Sequence, residues 1–192
     1  MKIKYLIICL PFILLLNCKS EENKIVETLE TEKSNEKTLE EYSEEELLIY
    51  SNEIKQNLSD TNKSSEYKEN AIKLLSVCQT FIAKFPESKS FRKIARRGSG
   101  AAQGLGNFEE TIRIIDISIE KFPNDSTIVE EMINKATIYD NLEDKKNARL
   151  AYQAIIDKFP NHVYGKSSME RLETLDLSQE ELLKLLTEKN AK

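Results

Sequence analysis

Residues 96 to 110 read RRGSGAAQGLGNFEE, which sets four of the chain's five glycines within nine positions directly behind Arg96 and Arg97. Glycines behind cations could wrap a phosphate. A phosphate loop of that kind needs Gly-Lys-Ser/Thr opening a helix after a strand, and a dinucleotide turn needs Gly-x-Gly-x-x-Gly in the same setting. Neither pattern occurs. The run Gly98, Gly100, Ala101, Ala102 and Gly104 is expected instead to be a seam where helix backbones approach closely, at a propensity cost of about 1 kcal/mol per glycine relative to alanine. His162 is the only histidine. Without a cysteine pair or a His-Glu-x-x-His helix it supplies neither a zinc site nor a general base with an orienting partner. Cys78 falls in an apolar stripe and is expected to be a buried small hydrophobe, not a nucleophile. Carboxylates are plentiful, but no spacing selects two of them as acid and base. No catalytic residue, cofactor or metal ligand is assigned, and the expectation is a protein that is not an enzyme.

Composition indicates what must position the remaining candidates. The chain has 192 residues, 40% of them hydrophobic, with no Trp, four Pro and many Glu, Lys, Leu and Ile. Straight-chain residues lose little rotamer freedom in a helix, so the expected class is all-α.

The main apolar run, Tyr5 to Leu16, is broken only by Pro11 and follows Lys2 and Lys4. Twelve residues are too few for a helix to span a bilayer core, which takes about 20. A basic start and a short apolar run instead predict a secretory signal over residues 1–17. Leu15-Leu16-Asn17-Cys18 resembles the lipobox of bacterial lipoproteins, in which the peptide before an invariant Cys is cut and that Cys is acylated. Asn17 stands where that family prefers Gly, Ala or Ser. A cut after Ser20 is the alternative, since Cys18 and Ser20 put small residues where an ordinary signal peptidase inspects them. The lipobox resemblance implies lipidation at Cys18 with fatty acyl chains such as palmitate, and hence a cell-envelope address. Lys19, Ser20, Glu21 and Glu22 resemble a Lys-plus-acidic export signal of some Gram-negative lineages, which implies an outer-membrane lipoprotein on the periplasmic face or the cell surface.

Residues 19 to 46 hold eleven acidic and four basic side chains, whereas residues 47 to 192 hold 22 of each. The local net charge of −7 and the scarcity of apolar residues predict an acidic, disordered tether over 18–43. A balanced remainder lacks the basic face that nucleic acid requires.

Lys-Phe-Pro recurs at 84, 121 and 158, an interval of 37 residues each time. Proline cannot continue a helix and biases the residue before it towards an extended backbone, so each tripeptide ends a helical segment. Tyr67, Ala71, Leu74, Cys78, Phe81 and Phe85 alternate steps of four and three; Phe108, Ile112, Ile115, Ile119 and Phe122 follow the same pattern, as do Ala148, Tyr152, Ile155 and Phe159. Three helices, each with one apolar stripe, are predicted. Three more helical stretches lie between them, near 45–59, 89–104 and 127–141. The first hairpin should carry one extra turn, because Tyr67 lies 19 residues before Pro86 whereas Phe108 lies 15 before Pro123.

The pattern resembles the tetratricopeptide repeat, a helix-turn-helix unit of about 34 residues that stacks into a superhelix. Met132, Ala136, Tyr139, Ala148 and Tyr152 match its small and bulky positions, and Gly106 with Phe108 matches its turn. Gly98, Ser99, Ala102 and Thr111 depart from it. The resemblance implies a right-handed superhelix of stacked antiparallel hairpins, about three and a half units over residues 44–175. Met169, Leu172 and Leu175 form one side of the partial unit. Ser178 with Glu181 predicts a capping box that opens a C-terminal capping helix over 176–192.

In that family the first helices line a groove, and the corresponding positions here are Lys93, Arg96, Gln103, Glu130, Thr137, Asp140 and Asn141, then Glu170. The resemblance implies a membrane-anchored interaction module, a monomer or a subunit of a complex, that binds a peptide or protein segment. A ligand- or glycan-binding lipoprotein of an uptake system is the alternative; it calls for clustered aromatics, and seven Tyr spread along the chain provide none.

Overall fold

The structure, a computed structural model, describes residues 37–60 and 64–190. The segment 1–17 expected to be a signal, Cys18, and the expected tether as far as residue 36 lie outside the described residues. The chain divides into two units after Tyr42. In the first, Leu39–Glu41 forms one 3₁₀ turn, and the Thr38 amide donates to Glu41 Oε2 at 2.6 Å.

The second unit is helical, and no strand occurs among the described residues. Its helices are α1 (Glu44–Asp60), α2 (Ser64–Lys84), α3 (Phe91–Gly104), α4 (Phe108–Lys121), α5 (Val129–Asn141), α6 (Lys145–Lys158), α7 (Val163–Thr174) and α8 (Gln179–Asn190). From α1 to α7 each packs on its neighbours in sequence, and α5 also touches α7. Capping residues mark where several helices begin. The Ser178 amide donates to Glu181 Oε2 at 2.8 Å and the Glu181 amide to Ser178 Oγ at 3.3 Å, the reciprocal box expected before α8. Ser43 and Glu46 form the same box before α1. Asn107 caps α4 and Asp144 caps α6, each accepting the amide three residues on at 3.1 Å.

The 37-residue interval holds in the backbone. Phe85, Phe122 and Phe159 each donate their amide to the carbonyl four residues earlier, at 2.9, 3.0 and 2.8 Å, and then a proline stops the helix. Burial repeats with the same interval even where residue type does not. Cys78, Ile115 and Tyr152 are all buried, as are Phe81, Ser118 and Ile155, and Ile94, Glu131 and Ser168. One cluster, Ile128, Val129, Met132, Ala136, Ala148, Tyr152, Ile155 and Leu175, joins α5, α6 and the end of α7. The first hairpin is lengthened by more than the one turn expected: α2 has 21 residues against 14 in α4 and in α6, about two turns more.

Three residues depart from expectation. Tyr67, placed by its spacing in the core stripe, is 39% exposed, because the additional length of α2 carries it across Gly104. Met169 is 47% exposed, lacking the second helix that α6 provides for its counterpart Met132. Gly100 takes no part in a seam: a Cβ built there has nothing within 4 Å.

Candidate binding groove

Helix α3 presents its cations in three directions. Lys93, Arg96, Gly100 and Gln103 follow at steps of three, four and three, so they form one stripe along the helix. Arg92 lies on the flank towards α5, and Arg97 on the flank towards α1.

Arg92 is anchored from behind. Its Nη1 donates to Asp125 Oδ2, its Nε to Glu131 Oε1 at 3.3 Å, and the guanidinium lies 6.0 Å from the Phe122 ring centroid. Glu131 is 6% exposed, and burial pushes its carboxyl above the ordinary value while Arg92 and a bond from the Ser118 hydroxyl pull the other way. Asp125 is held below its ordinary value, first by the Thr127 amide. Arg97 instead donates to two neutral groups of α1, Ser51 Oγ at 2.7 Å and Asn52 Oδ1 at 2.6 Å. Lys93 is exposed and has no ion-pair partner among the described residues.

Of the groove residues expected from sequence, several are paired with one another or with neighbours. Arg96 Nη2 meets Glu130 Oε2 at 2.7 Å, and Gln103 accepts from Asn134 Nδ2 at 3.1 Å, so α3 and α5 are bridged at two levels. Thr137 donates to the Ile133 carbonyl of its own helix at 2.9 Å. Asp140 is gripped by Arg171 of α7 at 2.5 and 2.7 Å and accepts from the Tyr152 hydroxyl at 3.1 Å, and the Arg171 bonds hold its carboxyl below the ordinary value. Asn141 and Glu170 are exposed.

The open part of this face lies at its N-terminal end. A cleft of about 710 Å³ separates α1 from α3 above α2. Its floor is Leu58, Ala71, Leu74 and Ala101, and its rim carries Lys55, Arg92, Lys93, Arg96 and Arg97, with Tyr67 at one end. Among the described residues no carboxylate lines it. A smaller cavity of about 190 Å³ between α3 and α5 shares Arg96 and Gly100 with it and adds Glu130 and Glu131. Sequence reasoning missed Lys55, Leu58, Tyr67 and Gly100. The available signals were the extra turn that displaces Tyr67 and the glycine in the middle of a cationic helical stripe.

The glycine run divides by function. A Cβ at Gly98 would stand 2.9 Å from Cys78 Cβ and 3.4 Å from Ile114 Cδ1, so Gly98 is the seam, closed against side chains of α2 and α4. At Gly104 it would meet the Tyr67 side chain, its hydroxyl at 2.5 Å. Gly106, at φ 73°, makes the turn. Cys78 is fully buried as expected, and burial pushes its thiol up to about 12. His162 caps α7, its Nδ1 accepting the Tyr164 amide at 3.1 Å. Among the described residues no helix is long and apolar enough to cross a membrane.

Set against known proteins, the chain matches no family model, no curated sequence and no solved structure.

Proposed function

We propose that this chain is a lipid-anchored scaffold of the bacterial envelope, whose tetratricopeptide-like hairpins hold a peptide or protein segment of a partner along the face of α1, α3 and α5. It acts by binding and not by catalysis. The carrying observation is the cleft between α1 and α3, apolar below and cationic around, continuous through Arg96 and Gly100 with the polar face of α5. The 37-residue repetition of helix ends and buried positions supports a right-handed stack of hairpins. Acylation of Cys18 by two or more chains would make the anchoring durable, and tethering would raise the local concentration of the groove near its partner.

Photo-cross-linking in the envelope tests this reading. A photoreactive residue at Gln103 or Thr137 is expected to yield one discrete protein adduct, and one at exposed Glu120 on the second-helix side of the stack none. Equal labelling from both faces, or none from the groove, contradicts it. A clickable fatty acid should label the chain and fail to label Cys18→Ser; equal labelling removes the anchor.

A further inference from the structure

We infer that the cleft between α1, α2 and α3 recognises a peptide segment in which carboxylates flank one bulky apolar side chain. This names the partner chemistry of the groove proposed above and rests on that reading.

Charge decides the flanks. Five cations rim the cleft and, among the described residues, no carboxylate lines it. Arg92 and Arg96 are answered from the α5 side by Glu131, Asp125 and Glu130. Arg97 is different: Ser51 and Asn52 fix its orientation without neutralising it, and its remaining N–H donors are available to an incoming carboxylate. Lys93 has no ion-pair partner among the described residues and sits one turn from Arg97, about 6 Å along the helix axis. Two acidic side chains of one short segment are therefore engaged together, by a guanidinium already held in place and a mobile ammonium.

The floor decides the centre. Leu58, Ala71, Leu74 and Ala101 offer apolar surface below the cations, and Gly100 leaves open space where any other residue would place a side chain. A volume of about 710 Å³ holds one large side chain with its flanking backbone. Four small or medium aliphatic residues under an open, charged rim make a short floor, which suits a Phe or Leu side chain better than the length of a fatty acyl chain.

The probe is a fluorescein-labelled eight-residue peptide with one Phe between two pairs of Glu, titrated into the full chain by fluorescence polarisation. Replacing that Phe by Ser is expected to weaken binding about tenfold or more, the value of burying one such side chain. Raising salt from about 50 to 200 mM should weaken it further by screening. Gly100→Leu fills the cleft from a helical position with space around it, so it should cost at least about tenfold in affinity while the melting temperature holds or rises. Lys93→Glu should also weaken binding. Equal affinity for the Phe and Ser peptides, unchanged binding by Gly100→Leu, or binding of decanoate with none of the peptide overturns the inference. A partner cross-linked through Thr137 in a chain whose cleft ignores the peptide leaves the scaffold reading standing and overturns this one alone. Failure of both assays removes both.

Discussion

Gly106 and Glu143 stand 37 residues apart in the same left-handed backbone conformation, at φ 73° and 60°. The bonds around them match: Gly106 donates to the Gln103 carbonyl and Asn107 to that of Ala102, while Glu143 donates to Asp140 and Asp144 to Tyr139, all at 2.9 to 3.0 Å. Two successive hairpins use one turn, and only the first has the residue suited to it. A side chain in this region costs about 1–2 kcal/mol, partly offset by the entropy glycine loses on folding. Glu143→Gly should therefore stabilise the chain by about 0.5–1 kcal/mol, and Gly106→Ala should destabilise it by about 1 kcal/mol. Paired thermal melts check this, with shifts of about 2–4 °C per kcal/mol for a domain of this size.

The glycines of α3 and α7 predict a graded series. At Gly165 a Cβ would lie 2.1 Å from the Phe159 carbonyl oxygen, a backbone atom, so Gly165→Ala must move the turn before α7 and should be the most damaging. At Gly98 the obstacle is Cys78 Cβ at 2.9 Å. Overpacking of about 1–3 kcal/mol there exceeds the helix-propensity gain of about 1 kcal/mol. Gly100→Ala meets nothing and should stabilise by about 1 kcal/mol. Urea denaturation of the three variants should rank them Gly165, Gly98, Gly100 from worst to best; any other order contradicts the packing described.

Much of this architecture was legible because Lys-Phe-Pro stops and apolar stripes are local signals. Ser178 with Glu181 and the lengthening of α2 were read from capping chemistry and chain spacing, whereas the caps Asn107 and Asp144 were not. Glu143 was not legible, since nothing about a glutamate announces a left-handed turn; only register with Gly106 does. Gly165 was missed because it occupies the position filled by buried Phe91 and Ile128 in the earlier units, and its need for space arises from a carbonyl brought close by the fold. Glu131 was not singled out by its residue type, yet it shares the buried register of Ile94 and Ser168 and is tolerated there through Arg92 and Ser118. The cleft depends on the separation of α1 from α3, a tertiary quantity that no spacing in either helix reveals.

Asp140 and Glu131, both on α5, predict opposite responses to pH. Asp140 is held below its ordinary value by Arg171, so its contribution is present at neutral pH and lost as pH falls through its folded value. Asp140→Asn should cost about 1–2 kcal/mol at pH 7 and progressively less in acid. Glu131 is raised by burial, so its contribution is present below its ordinary value of 4.5 and lost as pH rises through the folded value. Glu131→Gln should thus compare best with the parent at neutral pH and worst near pH 4. Chemical denaturation from about pH 2 to 7, which takes in the loss of the Asp140 contribution below its ordinary value of 3.8 as well as the change of Glu131 above 4.5, separates the two slopes, and parallel profiles for both variants would refute the assignment.

Cys78 gives the sharpest test of the core. With its thiol pushed up to about 12 by burial between α2 and the Gly98 seam, the thiolate population at pH 8 is about a thousandfold below that of an ordinary cysteine. Complete burial adds a steric barrier, since the reagent must wait for α2 and α3 to part. Iodoacetamide pulses on the native chain, read by mass spectrometry of the peptide containing Cys78, should show negligible alkylation over minutes and full alkylation in denaturing urea. Gly98→Ala, which presses a methyl group against Cys78, should raise the native rate if the seam yields by local opening, and Gly100→Ala should leave it unchanged. Rapid native alkylation of the parent chain would show that α2 and α3 are not packed at this level, and with them the wall of the cleft would be lost.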